Sequence, residues 1–264
     1  MTDASYTRAF FSDQNVQRDD VSFHVLASLL IGLVRPQSVV DVGCGVGNLL
    51  KAFADQGVTD LLGIDGPWVP RDLLSVPASV VETHDLSRAY RPSRRFDLVV
   101  STEVGEHLPG EAAEMFVDTL TGLGPVVAFG AAIPLQGGTH HVNEQWPAYW
   151  AKLFRARGYL VLDCLRPRLI GDPRVAELIG QNMVLYIHSD RAADLMPAIT
   201  AAMHEWPDYP LPVVHPRQYL RMQDYIANAP SRLGLVKTLK ALPGLVVQGV
   251  SARFGRSRPP APTP

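Results

Sequence analysis

The sequence predicts an α/β fold: a doubly wound sheet of seven strands, with helical additions at its N- and C-terminal ends. Three observations carry that reading. Short apolar runs rich in β-branched residues alternate with stretches of helical periodicity. The connections between them are short and punctuated by glycine or proline, as in a sheet with helices on both faces. The first run, Val39-Val40-Asp41-Val42, passes directly into Gly43-Cys44-Gly45-Val46-Gly47 and then into the helix-prone Asn48-Leu49-Leu50-Lys51-Ala52-Phe53.

Each element follows from its residues. From Asp19 to Val34, Val21, Val25, Leu26, Leu29, Leu30 and Leu33 recur at helical spacing, and Pro36 ends that helix. Strands are predicted near 38–42, 61–65, 79–83, 96–101 and 125–130, and helices near 47–56, 70–75, 111–121 and 146–157. Asp55-Gln56-Gly57 and Arg157-Gly158 read as glycine helix stops. Runs at 159–164 and 182–188 complete seven strands, and 165–180, with Pro167 and Pro173, interrupts that last pair. Beyond Ser189 a helix near 191–204, a proline-rich run from Pro207 to Pro216 and a helix near 217–228 precede a tail mixing Leu and Val with Arg and Lys. The organisation expected is an N-terminal arm and helix over 1–36, a ligand-binding domain over 37–189 and a helical extension over 190–264. Residues 1–16 read either as a loose arm or as a flap over a bound ligand.

The glycine bend is the first functional signal. Val39, Val40 and Val42 suit a strand covered on both faces. Gly43, Gly45 and Gly47 allow a sharp turn and a close backbone approach to a ligand, ahead of the free N–H groups of a helix start. The chain lacks G-x-x-x-x-G-K-[ST], and its third glycine comes one residue early for a dinucleotide fingerprint. Asp41, ahead of the glycines, would repel a pyrophosphate and suits a ligand that is cationic near the turn. Asp65 ends the next run, about twenty residues on, where a carboxylate accepts ribose hydroxyls. Asp85 follows the third strand, within reach of an adenine amine. Together these features resemble the class I S-adenosylmethionine-dependent methyltransferases, over roughly residues 38 to 188. The resemblance implies a Rossmann-like sheet with an antiparallel last strand. It also implies cofactor contacts from Asp41, Gly43, Cys44, Gly45, Gly47, Asn48, Asp65, Gly66, Asp85, Leu86 and Thr102.

Composition narrows the classes. A chain of 264 residues, 47% hydrophobic, builds a sizeable core, and a net charge of -2 offers no global field for nucleic acid or anionic membrane. Two cysteines, Cys44 and Cys164, fit a reducing compartment, so a cytoplasmic protein is expected. Met1-Thr2-Asp3-Ala4-Ser5 has no signal-peptide character, and no apolar run of about eighteen residues predicts a membrane span. The basic, Leu-rich tail suits a helical extension packed on the domain, a membrane contact or a homodimer arm.

The chemistry concentrates after strands four and five. Ser101-Thr102-Glu103-Val104-Gly105-Glu106-His107-Leu108-Pro109 holds two carboxylates and an imidazole within five positions. If Glu103 to His107 forms one helical turn, all three share a face. Such a cluster repels itself without a cation, and a divalent metal resolves that cost. The second cluster, Gln136-Gly137-Gly138-Thr139-His140-His141-Val142-Asn143-Glu144-Gln145-Trp146, is predicted at the same sheet edge. Glu103, Glu106, His107 and His141 would then hold Mg²⁺ or another divalent ion, with His140, His141 and Glu106 as the groups nearest the chemistry. Glu-x-x-Glu-His with a later histidine resembles the metal-dependent O-methyltransferases, notably small-RNA 2′-O-methyltransferases. The stretch from Gly137 to Trp150 also resembles a loop of bacterial saccharide-tailoring methyltransferases. The spacing to Trp146 leaves His140 and His141 both open as the ligand. In methyltransferases that use no metal, a Glu-His pair here caps and braces a helix, and that reading also stands for Glu106-His107. Trp146, Tyr149 and Trp150 suit either core packing or a sugar-stacking platform. The expected activity is O-methylation of a sugar or saccharide hydroxyl, with RNA 2′-O-methylation or metal-free methylation of a small metabolite as the alternatives.

Overall fold

The computed structural model describes residues 8–12, 20–200 and 213–227. The chain divides into two compact units, Met1–Gln218 and Tyr219–Pro264. In the first unit, β1 (Ser38–Val42), β2 (Asp60–Asp65), β3 (Val81–Thr83), β4 (Leu98–Thr102), β5 (Val126–Gly130), β6 (Tyr159–Leu162) and β7 (Val184–His188) form one sheet. Its order is β3-β2-β1-β4-β5-β7-β6. The five strands from β3 to β5 run parallel, and β7 is antiparallel to both β5 and β6. This is the seven-stranded, doubly wound sheet that the alternating pattern predicts, with a reversed final strand. The chain changes winding direction between β1 and β4, which opens a crevice at their carboxyl ends where ligands of such sheets bind.

The helices of this unit are α1 (Arg8–Ser12), α2 (Asp20–Val34), α3 (Asn48–Asp55), α4 (Ala113–Leu123), α5 (Pro147–Arg155), α6 (Arg166–Leu169), α7 (Glu177–Asn182) and α8 (Ser189–Thr200). On one face of the sheet Leu26 and Leu30 of α2, Phe53 of α3 and Leu195 of α8 share a core with Val39 and Val100. On the other, Phe116 and Leu120 of α4 and Trp150 and Phe154 of α5 pack on Val40, Val99 and Phe129. Side chains alternate across a strand, so burial on both faces explains why the strands read as nearly unbroken apolar runs. Trp150 is thus a core residue, whereas Trp146 stays partly exposed at the head of α5.

Several expectations change in detail. The helix predicted near 70–75 is a single 3-10 turn, Arg71–Leu73, bracketed by Pro70 and Pro77. The third strand is only three residues long because Ala78–Val80 forms another 3-10 turn. Residues 177–182 are helical, so the last strand starts at Val184. A last helix, α9 (Pro216–Ala227), begins in the first unit and supplies the described residues of the second. Its Gln223 amide donates to the Tyr219 hydroxyl at 2.9 Å, one turn apart. Residues 201–212, which include most of the proline-rich run from Pro207 to Pro216, most of the N-terminal arm and the basic tail lie outside the described residues. No helix among the described residues is long and apolar enough to cross a membrane.

Candidate active site

The bend after β1 forms as its glycines require. Gly43, Gly45 and Gly47 have φ of 85°, 52° and 84°, in the left-handed region that side chains resist. The Gly43 and Cys44 amides donate to the Ile64 carbonyl at 2.7 and 3.3 Å, tying the bend to β2. The Gly45 amide donates to Asp65 at 2.7 Å. Space where a Cβ of Gly45 would stand is open, and Gly45 lines a cleft with Gly43, Asp65 and Leu86. Phe10 and Phe11 of α1 and Trp68 supply aromatic walls to that cleft. An Arg8–Asp72 ion pair, 2.6 Å, joins α1 to the segment after β2.

Two aspartates set the electrostatics of this half. Asp41 is 2% exposed and its Oδ1 has no hydrogen-bond partner among the described residues. Burial, and then the charge of Asp65, push its pKa up to about 8. Burial also raises Asp65, against hydrogen bonds from the Gly45 and Gly66 amides and the Trp68 side chain that favour its charge. Open glycine backbone, an unpartnered buried carboxyl oxygen and aromatic walls suit a cationic nucleoside ligand, the class to which S-adenosylmethionine belongs.

The structure does not bring all eleven expected cofactor residues to the cleft. Gly43, Gly45, Asp65 and Leu86 line it. Gly66 lines a neighbouring hollow with Arg71 and Thr83. Asp85 is engaged in its own turn; although burial works the other way, the Ser87 hydroxyl and amide hold its carboxyl low. Asn48 accepts the Ser75 hydroxyl at 2.5 Å. Asp41 and Thr102, in β1 and β4, and Cys44 and Gly47, in the bend, are not among the residues that line it.

After β4 the chain departs from expectation. Glu103 is not part of a helical turn with Glu106 and His107. It has φ of 54°, and only Gly105–His107 form a 3-10 turn. Its amide pairs with the Gly130 carbonyl at 2.9 Å, extending the sheet by one residue, and its carboxyl still meets that of Glu106. Its carboxylate accepts the Gln136 amide at 2.6 Å and the Asn182 amide at 2.7 Å. Glu106, by contrast, is fully buried, and neither carboxylate oxygen has a hydrogen bond of ordinary geometry among the described residues. The amides of Glu106 and Ala132 favour its charge only weakly; burial, and then the Glu103 charge, push its pKa well above the usual carboxylate range.

The loop after β5 is stapled to this turn. The Val142 and Asn143 amides both donate to the Glu106 carbonyl, at 2.8 and 3.0 Å. Glu144 organises the loop from within. It accepts the Leu135 amide at 2.7 Å, the Gly137 amide at 2.7 Å and the His141 ring Nδ1–H at 2.9 Å. His141 thereby stands edge-on to His107, with ring centroids 4.9 Å apart. One ligand atom from each of Glu106, His107 and His141 lies within 4.8 Å of the others. Burial, followed by the neighbouring His141, pushes His107 down to about 4, so its ring is neutral at pH 7. His140 is exposed, at φ 59°, outside this group of three. Glu103 is outside it too. A neutral imidazole and a buried carboxyl group without hydrogen bonds of ordinary geometry among the described residues fit a divalent ion.

Of the four non-glycine residues at positive φ among those described, Glu103, Leu135 and His140 fall in these two loops. Gly138 has no such strain, but a Cβ there would come within 2.2 Å of His141 Nε2. Gly138→Ala should therefore displace the His141 ring while changing stability by less than about 1 kcal/mol. Histidine ring NMR checks this: an unmoved His141 resonance in the variant contradicts it.

Sequence reasoning missed Gln136, Gln181, Asn182 and the hub role of Glu144. Gln181-Asn182 sits in front of an apolar strand, and two amides at that point were the available signal.

Comparison with known proteins bears on the fold. Residues 16–120 match a family described as a methyltransferase domain. The structure of Streptomyces venezuelae DesVI is similar with a TM-score of 0.50 and 17% identity, over 67% of this chain and 94% of that one. The methyltransferase domain of bacterial CtHen1 is similar with a TM-score of 0.50 and 20% identity, over 65% of this chain and 98% of the other. No curated protein sequence matches significantly. The methyltransferase-domain match thus takes in the glycine bend and the strands from β1 to β4, and the whole sheet shares the fold of these two solved structures.

Proposed function

We propose that the protein is a cytoplasmic O-methyltransferase for a hydroxyl group of a sugar or saccharide, assisted by a divalent ion such as Mg²⁺. The observation that carries this reading is the convergence of Glu106, His107 and His141 within 4.8 Å beside the cofactor cleft, which His107 also lines. S-adenosylmethionine supplies an electrophilic methyl group. An alcohol is a poor nucleophile at neutral pH, and a divalent ion held by Glu106, His107 and His141 would lower the pKa of an acceptor oxygen. Those residues fix the direction from which the hydroxyl approaches. His141 is oriented by Glu144, leaving its second nitrogen for the ligand side. Exposed His140, on the same loop, takes the proton of the acceptor; such general-base help is worth roughly 10²–10⁴-fold. Partly exposed Trp146 and the glycine-rich loop suit the polar, flat face of a sugar ring.

The test is methyl transfer from labelled cofactor to a panel of saccharide acceptors, with and without EDTA. Glu106→Ala and His141→Ala should each abolish chelator-sensitive turnover while leaving S-adenosylhomocysteine affinity within roughly twofold. Turnover that survives chelation and both substitutions removes the metal from the mechanism.

A further inference from the structure

The loop that carries His140 and His141 opens on two glycines, Gly137 and Gly138. Gly137 has φ of 69°, and the space where its Cβ would stand is open. Such a pair is a natural hinge, so the loop beyond it must be fixed by contacts from outside. On one side the Gly137 amide donates to Glu144 at 2.7 Å, within the loop itself. On the other, the hold comes from the far end of the same unit. Gln218, in the first turn of α9, is 5% exposed, and its side-chain amide donates to the Gln136 carbonyl at 3.0 Å. Gln136 is the residue immediately before the hinge, 82 positions away from Gln218.

The Gln136 side chain is fixed by the same segment. The His215 backbone amide donates to Gln181 Oε1 at 2.7 Å, which directs the Gln181 –NH₂ group to Gln136 Oε1 at 3.1 Å. A main-chain N–H can only donate, so Gln181 has one orientation. The His215 ring is held as well. Its Nε2–H donates to the Ile170 carbonyl at 3.1 Å and its Nδ1 accepts the Arg217 amide at 3.2 Å, a pairing that one tautomer satisfies. Four residues, His215 to Gln218, thus bind three separate places: the end of α6, the end of α7 and the mouth of the histidine loop. We propose that His215 and Gln218 are positioning residues for the histidine loop: they close the Gly137 hinge, hold His141 beside His107, and so make a segment beyond the seven-stranded sheet part of the acceptor side of the site. The effect on turnover rests on the methyltransferase reading given above; the effect on the loop does not.

Gln218→Leu fills the same space and removes the donor. Native-state amide hydrogen exchange reads the loop without any acceptor. The Leu135 and Gly137 amides, bonded to Glu144, and the Val142 and Asn143 amides, bonded to the Glu106 carbonyl, are the reporters. In the variant they should exchange roughly tenfold faster, as expected for the loss of one buried hydrogen bond, while amides of β1 and β4 keep their wild-type rates. Methyl transfer to an accepted saccharide should fall by a similar factor in kcat/KM, with S-adenosylhomocysteine affinity held within roughly twofold. Wild-type rates at all four reporters overturn the proposal. So does equal acceleration of loop and sheet amides, which makes Gln218 a brace of the whole fold, and so does faster loop exchange with unchanged turnover. If the variant fails to fold, the wild-type protein decides: across a urea series the His215 and Gly137 amides must share one opening free energy, and separate values overturn the proposal. A protein that methylates no saccharide but shows the selective loop acceleration overturns the acceptor reading and supports the positioning role.

Discussion

Glu106→Met yields a protein more stable than wild type, by about 2 kcal/mol at neutral pH, that no longer responds to divalent ions. Glu106 is fully buried, its two oxygens lack ordinary hydrogen bonds, and the Glu103 charge opposes its own. Methionine has similar length and no polar group to strand, and the Glu106 carbonyl still accepts the Val142 and Asn143 amides that hold the loop. The pH dependence follows from the raised carboxyl pKa. Its contribution to stability is fully present below the ordinary carboxylate pKa and is lost as pH rises through the raised folded-state value. The advantage of the variant should thus be small near about pH 4 and should grow toward neutrality. Urea denaturation of both proteins across that range checks it. A variant less stable at every pH means that Glu106 is satisfied in the folded protein, and the argument for a bound cation weakens accordingly. The stability–function trade-off is general: a site that needs a charge in a dry place stabilises the fold once the charge is removed.

Gly43→Ala should be the most damaging single-methyl change in the cofactor half. A Cβ on Gly43 would stand 2.2 Å from Val104 Cγ2, and the residue sits at φ 85°. Neither problem relieves the other. Val104 is buried in the turn that carries Glu103 and Glu106, and rotating Gly43 out of its conformation breaks its 2.7 Å bond to the Ile64 carbonyl. Strain and overpacking together should cost roughly 3 kcal/mol. Moving the bend shifts both the cleft wall and the turn after β4, so on the proposed function kcat/KM should fall on the order of 100-fold even in molecules that remain folded. Gly57→Ala is the matched control, because its φ of 93° is equally unusual but open space surrounds it. If the two variants lose the same activity, the contact with Val104 is irrelevant and backbone strain alone is responsible.

What was legible in the sequence was local. The β1 bend could be read because β-branched residues, three glycines and a helix start are consecutive, and each imposes its conformation on its neighbours. Glu106, His107 and His141 could be grouped because the loops after β4 and β5 of a parallel sheet emerge side by side. Glu103 was misplaced for a physical reason. Its left-handed backbone follows from a partner 79 positions away, Asn182, and another 33 away, Gln136, whose amides no local pattern connects to it. The choice between His140 and His141 depended on Glu144, which takes one ring and two loop amides and leaves the other histidine outside. The third strand was overestimated because prolines at 70 and 77 limit the segment before it to short 3-10 turns.

The reversal of β7 has a consequence for how such a protein diversifies. An antiparallel strand delivers its beginning to the edge where its parallel neighbours deliver their ends, so Gln181 and Asn182, just before Val184, arrive beside Gly130 and Glu103. The segment between β6 and β7 therefore abuts the carboxyl edge of the parallel strands on the side away from β1, β2 and β3. Mutation and insertion there would change what surrounds Glu103 while leaving the β1, β2 and β3 half of the sheet untouched.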